Sequence, residues 1–240
     1  MIITSVQNEK IKKIKKLKNN KDILKEGKFI VEGEHLVIEA KKAGLLLETF
    51  SLKEIDYGTL NTVVTENVLS SISGLSTAPS VIGICKLIPE AKVSSNKIMI
   101  LDGVSDPGNL GTIIRSAKAF GFNDIVLGER CVKKYNEKVI RATQGMLFNA
   151  NIITRDLTKF IIELKELGYE VYATDVTNGI DIKDIKEMNK VAIIMGSEGL
   201  GVSKEVKELA DKNIYIKMDS ACESLNVGVA ASIIMYELSK

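Results

Sequence analysis

Histidine is almost absent from this 240-residue chain, cysteine is scarce, and no long apolar run occurs. His35, the single histidine, removes multi-histidine metal sites. It also makes a Ser-His-Asp triad implausible, because it lies far in sequence from every glycine-rich loop described below. Cys85, Cys131 and Cys222 are odd in number and lack paired spacing, so neither a disulfide framework nor a zinc knuckle is signalled. No apolar stretch reaches the roughly 18 residues of a membrane span. The N-terminus has lysines from Lys10 onward and no apolar core of a secretory signal. A cytoplasmic protein with no membrane association and no metal is expected. Two nucleotide signatures are missing as well: neither Gly-x-Gly-x-x-Gly nor Gly-Lys-Ser/Thr follows any of the apolar strands. That weighs against a nicotinamide dinucleotide or a nucleoside triphosphate.

What is present is globular in character. With 45% hydrophobic and 27% charged residues, the chain can bury a sizeable core as one domain or two. Net charge is only +2 but is unevenly placed, since nine lysines oppose three acids in the first 28 residues. That gives +6 there and leaves −4 for the remainder. Lysine-rich segments neutralise phosphates without reading sequence, so Lys10, Lys12, Lys13 and Lys16 are candidate RNA contacts. A solvated helix face is an equally good reading of the same residues.

Ile11, Ile14, Leu17, Ile23 and Leu24 are spaced as one apolar stripe on a first helix. Phe29–Val31 reads as a strand, 34–43 as a helix ended by Gly44, and 45–52, 62–65 and 80–86 as strands, with a helix over 66–73. This is a small α/β unit of about ninety residues. Around 88–96 the pattern breaks at Pro89 and a run of small polar residues, and the domain boundary is placed there, giving domains 1–92 and 93–240. From Lys97 onward strands and helices alternate. Strands are expected at 98–101, 124–127, 150–154, 170–174 and 190–195. Helices are expected at 109–120, 135–143, 157–167 and 203–209, and the closing stretch reads as strand, polar loop and apolar helix. Continuous apolar strands in such an alternation imply a parallel sheet covered on both faces.

Three loops follow apolar strands: Asp102–Gly111, Gly196–Gly201 and Met218–Asn226. Ligands bind beyond the carboxyl ends of strands in open parallel sheets, so these loops are expected to converge. Their polar residues include Asp102, Asp106, Asn109, Glu198, Glu223, Ser224 and Asn226, with Arg115 nearly two turns into the helix that the first loop enters. Arg115 could hold a phosphate or carboxylate, or pair with a carboxylate such as Asp102. Ser224 and Asn226 could cap the last helix or face a ligand beside its positive end. Gly228, Ala230, Ala231 and Ser232 suit close approach of another backbone to that helix.

Three segments together resemble the motifs of the SpoU branch of the SPOUT methyltransferases. They are Asp106-Pro-Gly-Asn-Leu-Gly-Thr-Ile-Ile-Arg115, Met195-Gly-Ser-Glu-Gly-Leu-Gly201, and Ile216-Lys-Met218 with Ser224-Leu-Asn-Val-Gly-Val-Ala-Ala231. More weakly, the lysine-rich first helix, Phe29-Ile-Val-Glu-Gly33 and Ser76-Thr-Ala-Pro-Ser80 are similar to the ribosomal-protein-like RNA-binding domain that precedes the catalytic domain in that branch. The resemblance implies an S-adenosylmethionine-dependent 2′-O-ribose methyltransferase acting on RNA; the presence of a separate RNA-binding domain favours ribosomal RNA, with a transfer RNA 2′-O-methyltransferase as the alternative. It also implies an α/β catalytic domain with a deep trefoil knot, and a homodimer. Carried over, it places the methyl donor against Gly196, Gly201, Ile216, Met218 and Leu225. The polar roles fall to Asn109, Arg115, Glu198, Ser224 and Asn226, and Arg115 also contacts RNA. Gly228 departs from the serine common in the family. The competing class is a non-catalytic RNA-binding protein that retains the fold.

Overall fold

The computed structural model describes residues 2–185 and 189–239. The chain forms two compact units. One runs up to Pro89 and takes in Lys133–Asn149, and the other comprises Glu90–Val132 and the described residues from Ala150 onward.

The first unit begins with β1 (Ile2–Ile3), α1 (Glu9–Lys16), α2 (Asn20–Glu26) and β2 (Lys28–Glu32). It continues through α3 (Glu34–Lys42), β3 (Leu46–Ser51), β4 (Leu60–Val64), α4 (Glu66–Ile72) and β5 (Val81–Lys86). The sheet order is β1-β4-β3-β5-β2. Here β4 runs parallel to β1 and β3, and β5 runs antiparallel to β2 and β3. Phe29, Phe50, Ile82, Leu69 and Ile72 fill its core. The single apolar stripe expected over residues 11–24 is broken in two. The Asn19 side chain accepts from the Lys21 N–H and starts a new helix, so Ile23 is buried while Leu24 turns outward at 58% exposure.

The second unit opens with β6 (Lys97–Leu101), α5 (Pro107–Ala119) and β7 (Asp124–Leu127). The chain then returns to the first unit with α6 (Glu137–Ala142), a segment that the expected split at 92/93 places in the C-terminal domain. Long-range contacts hold it there. Arg141 donates to the buried carboxylate of Glu32 at 3.0 Å, and Tyr135 and Phe148 lie 4.8 and 6.3 Å from Phe29, ring centre to ring centre. Nothing local in residues 133–149 announces such an excursion.

Back in the second unit follow β8 (Asn151–Thr154), α7 (Leu157–Glu166), β9 (Glu170–Thr174), β10 (Ile180–Asp181), β11 (Val191–Met195), α8 (Lys204–Lys207), β12 (Lys212–Tyr215) and α9 (Val227–Glu237). The seven strands are ordered β10-β12-β9-β11-β6-β7-β8, and every neighbouring pair is parallel, as the sequence pattern implies. Ile98, Ile100, Val126, Ala192 and Ile194 pack beneath Leu157, Phe160, Ile161 and Leu164 of α7. The alternate residues Met99, Leu101, Ile125 and Ile193 are buried too, as strands covered on both faces require. The two-residue strands β1 and β10 are too short to leave a periodic signal in sequence. The parallel arrangement brings the carboxyl ends of β6, β7, β9, β11 and β12 to one edge of the sheet.

Candidate active site

The site is assembled from loops at that edge. Asp102, the first residue past β6, donates its backbone N–H to the Met195 carbonyl at 2.8 Å. Its side chain is buried and accepts from the Ser203 N–H and from Arg130 Nη2, both at 2.8 Å. Burial pushes the Asp102 carboxyl towards neutrality, but the hydrogen bonds from Ser203 and Arg130 outweigh it and hold its pKa below the usual value. Asp102 therefore pairs with Arg130 and not with Arg115. The Arg115 side chain is exposed on α5 and has no hydrogen-bond or ion-pair partner among the described residues.

Asp106 caps α5, its Oδ1 accepting from the Asn109 N–H at 2.9 Å, and this fixes Asn109 in the first turn. Asn226 caps α9 in the same manner, Oδ1 accepting from the N–H groups of Gly228 and Val229 at 3.0 and 3.2 Å. Its amide nitrogen is left to donate to Asn109 Oδ1 at 2.9 Å, and it reaches Glu198 Oε1 at 3.4 Å. Asn109 Nδ2 in turn donates to Glu198 Oε1. The capping reading of Asn226 holds through its carbonyl oxygen, while its amide joins the cluster with Asn109 and Glu198. Asn109, Glu198 and Asn226 come from three loops far apart in sequence. The Ser224 hydroxyl is exposed and has no hydrogen-bond partner among the described residues.

Next to this cluster is a cleft of about 550 Å³, within the usual range for a small-molecule site. Gly196, Gly201, Ile216, Met218 and Leu225 all lie in its wall, as do Glu198 and Ser224. Gly196 is demanded by packing: a Cβ there would fall 2.0 Å from the Gly201 carbonyl carbon and 2.1 Å from the Val202 nitrogen. Gly228 sits close against α5, where a Cβ would meet the Thr112 side chain at 3.3 Å. The first loop touches the other two but supplies no lining residue among those described.

A further wall, marked by no motif in the sequence, is Thr174–Val176, the end of β9 and the loop after it. The rule that located the other three loops applies to it equally, but it lacks their glycine pattern. Burial acts to raise the pKa of Asp175 in that loop. The Lys207 ammonium and the N–H groups of Thr177 and Asn178 overcome this and bring it down to about 2. A further loop, Gly128–Val132 after β7, likewise carries no motif and is bonded along the first motif loop.

The lysines of α1, in the first unit, divide. Lys12, Lys13 and Lys16 are exposed, with Lys12 paired to Glu9. Lys10 is half-buried, pairs with Glu48 at 2.6 Å and lies 4.8 Å from the Phe50 ring centre. The pattern showed Lys10 on the helix but not the acid on β3 that faces it. Among the described residues no cluster of three metal-ligating side chains occurs, and no helix is long and apolar enough to cross a membrane. All three cysteines are free.

The description of the SpoU rRNA Methylase family matches residues 96–236, more than half of the chain. The chain belongs to this family. Residues 8–83 of this SpoU family member match the MRM3-like substrate binding domain. A relative from Bacillus subtilis (strain 168), 23S rRNA (guanosine(2553)-2′-O)-methyltransferase RlmP, is 35% identical over 243 residues, which covers 98% of each protein. An rRNA methyltransferase from Sinorhizobium meliloti has a TM-score of 0.88 at 28% identity, over 99% of this chain and 96% of that one. Its AdoMet-bound form gives the same TM-score and identity over 99% and 97%.

Proposed function

We propose that this SpoU family member transfers a methyl group from S-adenosylmethionine to a ribose 2′-hydroxyl of ribosomal RNA. The observation that carries the reading is the junction of Asn109, Glu198 and Asn226 beside the cleft after β9, β11 and β12. The full-length likeness to a ribosomal RNA 2′-O-methyltransferase favours ribosomal over transfer RNA.

The residues of the cleft fit the donor. Ile214, Ile216, Met218, Leu225 and Ile234 offer apolar walls for a flat base, and backbone at the strand ends offers polar groups for its edge. Glu198 and Glu223, both in the wall, complement a positive charge. S-adenosylmethionine supplies an electrophilic methyl group on a cationic sulfonium.

The chain's own residues then have to align a neutral hydroxyl, a poor nucleophile, and dispose of its proton. Arg115 is the clamp for a substrate phosphate and the positive charge beside the developing alkoxide. A guanidinium there acts by its field and not as a base. The proton leaves through Glu198, a substrate phosphate oxygen or water. Asn109 and Asn226 hold the Glu198 carboxylate in place by donating to Oε1, which leaves Oε2 for the substrate. Ser224 presents its hydroxyl from the cleft wall. The exposed Lys12, Lys13 and Lys16 bind RNA backbone by charge.

The reading includes a cytoplasmic homodimer and a knotted C-terminal segment, as the family resemblance implies. Val229 and Tyr236 on α9, 46% and 49% exposed, are apolar surface that a second subunit would cover. Thermal unfolding with S-adenosylhomocysteine tests the donor site. A ligand of the native state at about 100 times its Kd adds about 2.7 kcal/mol of stability. No shift at millimolar ligand would leave a fold that binds RNA without catalysis.

A further inference from the structure

The residue at the catalytic edge that neither the motifs nor the cleft explains is Arg130. It stands in the loop after β7, the strand beside β6, and that loop runs bonded along the first motif loop. Gly128 N–H donates to the Leu101 carbonyl at 2.9 Å, the Cys131 thiol donates to the same oxygen at 3.1 Å, and Val132 N–H donates to the Val104 carbonyl at 3.0 Å. Asp102 lies at the centre of this junction. One carboxylate oxygen takes Ser203, which lies just past the second motif loop at the start of α8, and the other takes Arg130. The next residue, Gly103, lies close enough to Ser197 that an added Cβ would meet its side chain at 3.6 Å. A single buried carboxylate therefore ties together the loops after β6, β7 and β11.

The two partners differ sharply in exposure. The Asp102 side chain is 5% exposed, whereas that of Arg130 is 63% exposed. A guanidinium has five N–H donors in a fixed fork. One is used on Asp102, and the side chain is otherwise open at the edge where a substrate has to approach, with Glu205 a further charge acting on it. Asp102 needs a partner only for one oxygen, and a lysine or a backbone N–H would satisfy it. An arginine pinned at one end and open at the other instead presents an oriented set of donors at little conformational-entropy loss, which suits the oxygens of a phosphodiester.

We propose that Arg130 is a second backbone-phosphate contact for RNA at the catalytic edge, distinct from Arg115, and that Asp102 is the residue that positions it. The inference rests on the RNA-directed reading above. It adds a phosphate on the β7 side of the sheet, across β6 from the donor cleft. The strand bound there would extend over β6 and β7 instead of ending at the methylated ribose.

The test uses the full chain and its Arg130→Gln and Arg130→Lys variants. Affinity for an in vitro transcript of large-subunit ribosomal RNA is measured by filter binding across a salt series, and affinity for S-adenosylhomocysteine by calorimetry. Loss of one phosphate contact reduces the slope of log affinity against log salt by roughly 0.7–0.9. Arg130→Gln is expected to show that reduction, with RNA affinity down about five- to tenfold and S-adenosylhomocysteine affinity within twofold. Arg130→Lys is expected to keep most of the salt slope while losing part of the affinity, because the charge remains and the pinned fork does not. A purely structural pair would disturb Ser203 and the cleft, so weaker S-adenosylhomocysteine binding with an unchanged salt slope overturns the proposal. An unchanged slope with both affinities intact overturns it too. Failure of the wild-type chain to bind the transcript overturns both this inference and the functional reading, and so is distinguishable from failure of the inference alone.

Discussion

Gly196→Ala is the substitution whose effect follows most directly from the geometry. The added methyl group would sit 2.0 Å from the Gly201 carbonyl carbon, 2.1 Å from the Val202 nitrogen and 2.4 Å from the Gly201 oxygen. All three are backbone atoms, so no side-chain rotation relieves the clash. Reaching an ordinary contact near 3.4 Å requires residues 201 and 202 to withdraw by about 1.4 Å. That backbone is held by the reciprocal Ser197–Gly201 hydrogen bonds of 3.0 and 2.9 Å and, one residue on, by Ser203 N–H on Asp102. Loss of two such bonds at about 1 kcal/mol each, with an overpacking penalty of about 1–3 kcal/mol, sets the expected damage at roughly 3–5 kcal/mol. Part of it falls on stability and part on the cleft that the same loop walls. Calorimetry should therefore find S-adenosylhomocysteine bound at least about tenfold more weakly, which is 1.4 kcal/mol, alongside a lower urea midpoint. Gly199→Ala is the control. Nothing lies within 4 Å of its added Cβ, so its urea midpoint should stay within about 0.5 kcal/mol of wild type. A Gly196→Ala protein with wild-type affinity and midpoint would refute the placement of this loop in the cleft wall.

Arg115→Ala should leave the unfolding midpoint within about 0.5 kcal/mol, since the side chain is exposed and unpartnered among the described residues, while methyl transfer falls at least about a hundredfold. Near-normal turnover by Arg115→Lys, which lacks the planar fork, would contradict both roles assigned to it. Asn226→Ala removes the cap of α9 and should lower stability by about 1 kcal/mol in chemical denaturation, with turnover reduced by the loss of the Glu198 support. Asp175→Asn should destabilise by about 1–2 kcal/mol at neutral pH by removing the carboxylate that Lys207 holds. Because the folded pKa of Asp175 is depressed to about 2, its contribution is fully present above the unfolded value near 4 and is lost as pH falls towards 2. The gap between wild type and Asp175→Asn in urea midpoint should therefore close between pH 4 and pH 2. A gap independent of pH would remove the ion pair as its cause.

The strands of the catalytic unit were legible because burial on both faces leaves a continuous apolar run, as in Ile98–Leu101 and Val191–Met195. The three loops followed from the rule about carboxyl ends of parallel strands, and their residues do meet at Asn109, Glu198 and Asn226. Pairings between distant loops were not legible. Arg115 and Arg130 are both arginines near the first motif, and only the course of the Gly128–Val132 loop decides that Asp102 takes the second. For the same reason the helical pattern placed Lys10 among free charges, although Glu48 faces it from another element. The return of residues 133–149 to the first unit rests on Arg141 with Glu32 and on aromatic contacts to Phe29, none of which leaves a local trace. The break in the α1–α2 stripe did have such a trace, because Asn19 is a capping residue set within the lysine-rich run.

The central claim is methyl transfer to a ribose hydroxyl, and one measurement addresses it directly. The protein is incubated with methyl-labelled S-adenosylmethionine and unmodified host ribosomal RNA, the RNA is hydrolysed with alkali, and the labelled products are identified. A 2′-O-methyl group blocks cleavage of the adjacent phosphodiester, so the account predicts label in alkali-resistant dinucleotides. Label on a base within single nucleotides, or no label in RNA at all, would contradict it.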